Sequence, residues 1–240
     1  MHFSYLCLVI LSRMLIVLEG LDGAGKSTQV KRLADYLRQE CGSLDFIHFP
    51  RYEAPVYGDL IGRFLRGAFG HIDQVHPQLV ALLYAEDRHG AAPAIRRTLE
   101  GGGTVLMDRY VYSNIAYQCA KLEDPGERNR LRNWILETEF GVFGEPEPDL
   151  NLFLDVPIDF VAQRLSAGRN GHDRDYLAGG QDIHEADIRF QVRVREEYLR
   201  LCAGDAHLRR IDCAGADGAM ASPDVVFDRV RAVVDEYLHR

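Results

Sequence analysis

The chain has 240 residues, 47% of them hydrophobic, which is the length of one domain with enough apolar content for a buried core. Its formal net charge of −8, from 28 basic and 36 acidic residues, argues against a general nucleic-acid binder with a basic face but leaves room for a nucleotide site lined by a local cluster of arginines. Five cysteines (Cys7, Cys41, Cys119, Cys202, Cys213) form an odd set without C-x-x-C, and the nine histidines include no H-E-x-x-H, so reduced thiols in a cytoplasmic protein are expected and a zinc site is not.

In chain order, residues 1–13 hold an apolar stretch too short to span a bilayer. They lack a basic n-region and a small-residue cleavage site, and read as a disordered extension ahead of Met14. Met14–Glu19 is a short apolar run ended by glycine, a buried strand. Lys26–Glu40 reads as a helix with Val30, Leu33 and Leu37 on one stripe. Asp45–Phe49 is a second strand stopped by Pro50, and Tyr57–Leu65 a helix. His76–Leu99 is a long helical pattern carrying Leu79, Leu82, Leu83 and Ile95, which Pro93 is expected to bend or break. Thr104–Asp108 is a third strand after a glycine turn. Ser113–Ala120 and Glu127–Phe140 look helical, Leu150–Leu154 is a fourth strand, and Pro157–Ser166 a further helix. Ala167–Gly180, polar and glycine-rich, reads as a mobile loop. Ile183–Leu201 is amphipathic, Leu208–Ile211 a fifth strand, and Pro223–Leu238 a closing helix with Val226, Val230, Val233 and Tyr237 on its buried side. Strands alternating with helices predict a parallel sheet covered by helices on both faces, one domain over 14–240. Ligands of such sheets sit beyond the carboxyl ends of the strands.

That edge carries the first chemical motif. Gly20-Leu21-Asp22-Gly23-Ala24-Gly25-Lys26-Ser27-Thr28 matches G-x-x-x-x-G-K-[ST], a phosphate-binding loop between strand and helix. Its glycines let backbone N–H groups turn toward phosphate oxygens, and the next helix adds its positive dipole end. Lys26 is one of three lysines among 28 basic residues. A compact ammonium fits between phosphates where a guanidinium fork does not. Ser27 is placed to hold Mg²⁺, and ATP is the expected donor.

Three further segments supply tools for a second phosphate and a flat base: Phe49-Pro50-Arg51-Tyr52, Leu83-Tyr84-Ala85-Glu86-Asp87-Arg88, and Asp108-Arg109-Tyr110-Val111-Tyr112-Ser113-Asn114-Ile115-Ala116-Tyr117-Gln118. They offer guanidinium forks for an anion, rings for stacking and an amide for edge recognition. Glu86 and Asp87 read as a solvated face or as partners of Arg88. Asp108 follows a strand where it can act on Mg²⁺ through water or only orient Arg109.

With these segments and Gln181-Asp182-Ile183-His184-Glu185, the chain from Met14 onward resembles the thymidylate kinases of the nucleoside-monophosphate kinase group. The resemblance implies a P-loop NTPase-type three-layer α/β/α fold with a five-stranded parallel sheet and a small mobile lid near 167–182. It implies transfer of the ATP γ-phosphoryl to dTMP with Mg²⁺, in a homodimer; the charge balance and the short apolar stretch lead us to expect no nucleic-acid or membrane partner. Carried over residue by residue, Arg109 would bind the acceptor phosphate beside Phe49, Arg51 and Tyr52. Tyr84 would stack on thymine, Arg88 and Asn114 would read the base edge, and Tyr117 would sit against the sugar C2′. Asp22 would touch the sugar 3′-hydroxyl and the metal's water shell, and Asp182 and Glu185 would lie near metal or sugar. His184 reads as a lid-hinge contact. Related enzymes place a transition-state arginine in the loop or in the lid. The position after Asp22 is Gly23, so the lid is expected to supply it, from Arg164, Arg169 or Arg174, with Arg169 and Arg174 favoured. A kinase for another monophosphate or a deoxynucleoside, and a non-catalytic nucleotide-binding module, are the alternatives.

Overall fold

The computed structural model describes residues 13–167, 177 and 182–238. The first strand, β1 (Leu15–Gly20), is buried along its whole length, as its apolar run requires at the centre of a sheet covered on both faces. It runs into the phosphate loop and α1 (Lys26–Cys41), whose buried stripe includes Val30, Leu33 and Leu37. Burying each such side chain contributes roughly 1.5–3 kcal/mol. Then follow β2 (Leu44–His48), α2 (Tyr57–Leu65), α3 (Pro77–Glu100) and β3 (Thr104–Asp108). After these come α4 (Val111–Cys119), α5 (Pro125–Leu136), a π-helical turn (Glu137–Val142) and β4 (Leu150–Asp155). The chain closes with α6 (Ile158–Ser166), α7 (Ile188–Gly204), β5 (Leu208–Asp212) and α8 (Pro223–Leu238).

The five strands lie in the order β2-β3-β1-β4-β5, all parallel. In register, Leu18 of β1 and His48 of β2 both stand opposite Asp108 of β3. The carboxyl ends of three adjacent strands are therefore level, and the segments that follow them meet at one edge. The main core gathers β1, β3 and β4 with α1, α4, α7 and α8. A smaller cluster, Ile61, Phe64, Leu65 and Val80, joins α2 to α3, and Tyr84 and Ile183 pack on it.

Several boundaries differ from the sequence expectation. The helix α3 continues through Pro93 instead of breaking. The missing N–H costs one internal bond, but α3 is held along its length by α2, α4, α5 and β3, and packing overrides local propensity. Leu79 and Leu82 are exposed, and the buried face of α3 is made by Val80, Ala81, Ala85, Ala91, Ala92 and Ile95. On α8 the third buried valine is Val234, with Val233 and Tyr237 half-buried. The helix expected over 127–140 is α5 followed by the π-helical turn. The helix α7 starts at Ile188, not Ile183, because the Asp187 carboxylate accepts the Arg189 N–H at 2.9 Å and caps the first turn. Residues 182–187 form a turn before it. Most of the expected lid, including Arg169, Arg174 and Gln181, and residues 1–12 of the expected extension, lie outside the described residues.

Candidate active site

The phosphate loop turns on Gly23 and Gly25, with φ of 74° and 77°, a left-handed backbone that side chains with a Cβ adopt only at a cost. A Cβ on Gly23 would also meet Cβ of Arg164 at 3.3 Å, because α6 packs directly over the loop. The Lys26 ammonium donates to the loop carbonyls of Leu21 at 2.9 Å and Gly20 at 3.4 Å. Lys26, Ser27, Gly23, Ala24, Gly25, Asp108, Arg164 and Glu185 line one cavity. Asp108 is buried, and its Oδ2 lies 3.3 Å from the His48 ring. Burial works to raise its pKa, but His48, Lys26 and Arg109 outweigh it and hold the carboxyl below its ordinary value. Its Oδ1 has no hydrogen-bond partner among the described residues.

A second cavity adjoins the first. It is lined by Phe49, Tyr52, Tyr84, Arg88, Asn114, Tyr117, Asp182 and His184. Asp22, Pro50, Tyr52 and Arg109 line both. Arg109 stands just past β3 with φ of 69°, a strained backbone for a residue with a side chain, held by its N–H to the Leu18 carbonyl at 2.9 Å. Its guanidinium donates to Asp22 at 2.8 Å, to Ser113 at 3.0 Å and to the Tyr117 hydroxyl at 3.1 Å. Tyr117 in turn donates to Asp22 at 2.8 Å, and Gln191 of α7 bonds Asp22 through both its backbone N–H and its carboxylate. Burial works against the Arg109 charge, but Tyr117 and Asp22 raise its pKa well above the ordinary value, so it stays a cation.

The sequence expectation missed three residues that build this arrangement. Glu19, wholly buried in β1, accepts from the Tyr110 and Ser113 N–H groups and from the Ser113 and Tyr198 hydroxyls. It caps α4, which therefore begins at Val111 and not at Ser113, and it fixes Ser113 under Arg109. Gln191 ties Asp22 to the His184 carbonyl at 2.9 Å. Glu139, in the π-helical turn, pairs with Arg88 and accepts from Asn114 at 2.9 Å. A carboxylate inside an apolar strand was the available sign for Glu19. Glu139 gave none, since its partners are 51 and 25 residues away.

One expectation needs correction, that for Asp87, and it turns on Arg51. Arg51 lines neither of these cavities, but stands between Pro50 and Tyr52, which line both. Its backbone N–H and guanidinium are committed to Asp87 at 2.8 and 3.0 Å, and it lies against the Phe49 ring. Asp87 is accordingly buried and is the partner of Arg51, neither a solvated face nor the partner of Arg88. Of the three lid candidates, Arg164 is among the described residues and lines the phosphate-loop cavity. His184 packs between the rings of Phe64, Tyr117 and Phe190. Burial and the nearby Lys121 charge push its pKa well down, so it contacts the site as a neutral ring.

Behind Arg88 lies a second buried carboxyl, Glu145. Burial, opposed by Arg88 and assisted by Glu139, raises its pKa from the ordinary 4.5 to about 9. The folded chain thus keeps a proton that the unfolded chain gives up, and stability falls as pH rises between those two values. Glu145→Gln removes that loss. Its melting temperature should match the wild type near pH 4.5 and exceed it by several degrees at pH 8.5. An equal difference at both pH values would show that Glu145 does not hold its proton.

The thymidylate kinase family model matches residues 18–216. Among similar proteins, the thymidylate kinase of Mycobacterium tuberculosis is 35% identical over 190 residues, covering 79% of this chain and 86% of that protein. The probable thymidylate kinase of Thermococcus onnurineus is 30% identical over 94% of this chain and 98% of its own length. The solved structure of thymidylate kinase from Candida albicans superposes with a TM-score of 0.69 at 28% identity, over 95% of this chain and 93% of that one. With the phosphate loop, the adjoining cavity and the shared arginine in place, the chain belongs to the thymidylate kinase family.

Proposed function

We propose that the chain moves the γ-phosphoryl group of ATP onto the phosphate of dTMP, giving dTDP and ADP, with each nucleotide tail reaching the shared wall from its own cavity. The observation that carries this reading is the position of Arg109 and Asp22 on that wall. One cavity has a phosphate loop on its far side, and the other has aromatic rings, an amide and a guanidinium.

The acceptor phosphate has a second pKa of about 6, so it is an anion at neutral pH and needs no strong base. The obstacle is repulsion between two anions. Arg109 offers a fork to the acceptor phosphate, held at its angle by Ser113, Tyr117 and Asp22. Lys26, released from the loop carbonyls, neutralises the outer phosphates of the donor while Gly20, Gly23, Ala24, Gly25, Ser27 and Thr28 shape their cradle. Tyr84 stacks on the base, and Arg88 and Asn114 read its edge. Tyr117 stands where a ribose 2′-hydroxyl would need room, and Asp22 meets the sugar 3′-hydroxyl. Phe49 and Tyr52 close the acceptor side, and Arg51 acts by bracing that wall through Asp87. Arg164, Arg169 and Arg174 are the arginines available to approach the transferring group.

The Asp108 Oδ1, buried and without a hydrogen-bond partner among the described residues, belongs to a side chain that lines the same cavity as Ser27 and Lys26, and fits a hydrated Mg²⁺. Ser27, Asp22, Asp108, Asp182 and Glu185 are the residues that would hold it. Bound there, Mg²⁺ would supply positive charge to the phosphate oxygens. Among the described residues no helix is long and apolar enough to cross a membrane. Free thiols at Cys41, Cys119, Cys202 and Cys213, together with ATP use, support a cytoplasmic enzyme. The exposed Leu79 and Leu82 on α3 support an apolar contact in a homodimer.

A coupled ADP-release assay tests the reading. Turnover should be highest with dTMP, lower with dUMP, and near background with dCMP, dGMP and thymidine. Turnover of thymidine would make this a nucleoside kinase, and no ADP with any acceptor would make it a binding module.

A further inference from the structure

Glu139 is fully buried in the π-helical turn, and its carboxylate holds two residues of the base-side cavity at once. It accepts from Arg88 Nη2 at 2.7 Å, from Arg88 Nε, and from Asn114 Nδ2 at 2.9 Å. The Asn114 amide nitrogen has a second hydrogen, which goes to the Ala81 carbonyl at 3.0 Å. A carboxylate and a backbone carbonyl can only accept. An amide turned over would set its oxygen against both, so these two bonds leave one permitted orientation. The Asn114 Oδ1 is the end that remains. It is buried, has no hydrogen-bond partner among the described residues, and belongs to a side chain that borders the cavity beside Tyr84 and Tyr117.

We propose that Glu139 is a specificity-determining positioning residue, which locks the Asn114 amide so that it shows the cavity an acceptor and no donor. This rests on the reading of that cavity as the base site. A thymine or uracil ring carries a hydrogen on N3 and satisfies Oδ1. A cytosine ring carries a lone pair there and opposes it. The same carboxylate engages the Nε–Nη2 edge of Arg88, which leaves the Nη1 side of the guanidinium to a base carbonyl and not to an amino group. Discrimination between the two pyrimidines is thus set from behind the pocket, by a residue that touches no substrate. A site with a buried acceptor left unsatisfied rejects the wrong ring strongly.

The test compares steady-state kinetics of the full chain with dTMP and dCMP in Glu139→Gln and Asn114→Ala. A glutamine can turn a donor toward Asn114, which leaves the Ala81 carbonyl as the one acceptor holding the amide and weakens its preference for a single orientation. Glu139→Gln should raise KM for dTMP by about tenfold or more, leave KM for ATP within about twofold, and narrow the dTMP-to-dCMP ratio of kcat/KM at least tenfold. A purely structural role would lower kcat for both acceptors and keep the ratio. If Glu139→Gln does not fold, Glu139→Asp keeps the negative charge but retracts the oxygen that Asn114 and Arg88 Nη2 share, and should narrow the ratio in the same way. An unchanged ratio in a folded Glu139 variant, with a narrowed ratio in Asn114→Ala, overturns the role of Glu139 alone. An unchanged ratio in Asn114→Ala overturns the base-site reading as well.

Discussion

Arg109→Ala is expected to raise KM for dTMP about 100-fold while KM for ATP stays within about threefold, because a fork of charge-assisted hydrogen bonds to a phosphate is worth roughly 3 kcal/mol. The asymmetry follows from placement. Arg109 lies on the wall between the cavities, but its guanidinium is aimed by Ser113, Tyr117 and Asp22, all of which also line the base-side cavity. The donor phosphates have their own cradle in the glycine loop and do not depend on this side chain for binding. A fall in kcat should accompany the change in KM, since a loosely held acceptor phosphate is out of line with the donor. Arg109→Lys separates charge from geometry. It retains one positive charge and loses the fork, and should recover less than a tenth of the lost efficiency. Both variants disturb the ion pair with Asp22, which keeps its bonds to Tyr117 and Gln191, so their melting temperatures provide the control for misfolding. Equal losses of dTMP and ATP affinity in a folded Arg109→Ala protein would remove this side chain from the acceptor site.

The parts of the site written in local sequence were legible, and those written in tertiary partnership were not. The phosphate loop is a contiguous run whose glycines and lysine have one physical use, and the strand before it is a short apolar segment between breakers. Asp108-Arg109 was legible because a charged pair directly after a buried strand lands at the sheet's carboxyl edge. Arg51 is placed beside the acceptor phosphate by the resemblance. Nothing in its neighbourhood announced that Asp87, 36 residues on, already takes its N–H groups. Asp87 was misplaced for the same reason, since a helical Glu-Asp pair looks solvated until the helix is packed.

Helix ends show the same divide. The start of α7 was written in Asp187, a capping residue, but the apolar Ile183 drew the boundary forward into a turn. The start of α4 could not be read locally, because its cap is a carboxylate from β1, 91 residues away. The π-helical turn escaped because one extra residue per turn shifts every later side chain off the 3.6 period, and that shift is what swings Glu139 behind Arg88 and Asn114. Pro93 was overvalued for the opposite reason. A local penalty of about 3 kcal/mol counts for less than the packing of a 24-residue helix against α2, α4, α5, β3 and the π-helical turn.

Lys26→Ala is expected to lower kcat by roughly 10³-fold or more with little change in fold, since the lysine's charge meets the donor phosphates as they separate. Its anchor points make the effect on stability small. The ammonium bonds two carbonyls of its own loop, Gly20 and Leu21, and removing it leaves α1 seated in the core through Val30, Leu33 and Leu37. Nucleotide binding should survive in part, because the backbone N–H groups of the loop and the helix dipole remain. A change concentrated in kcat separates a group that works in the transition state from one that only adds affinity. Lys26→Arg should do little better than alanine. The Gly20 Cα packs against the stem, and a Cβ there would meet Lys26 Cγ and Cδ at 3.4 Å, so the channel suits a thin chain ending in a point charge more than a planar fork. Near-normal turnover in Lys26→Ala would mean that the transferring phosphoryl group does not lie against this loop, and the two-cavity arrangement would lose its donor side.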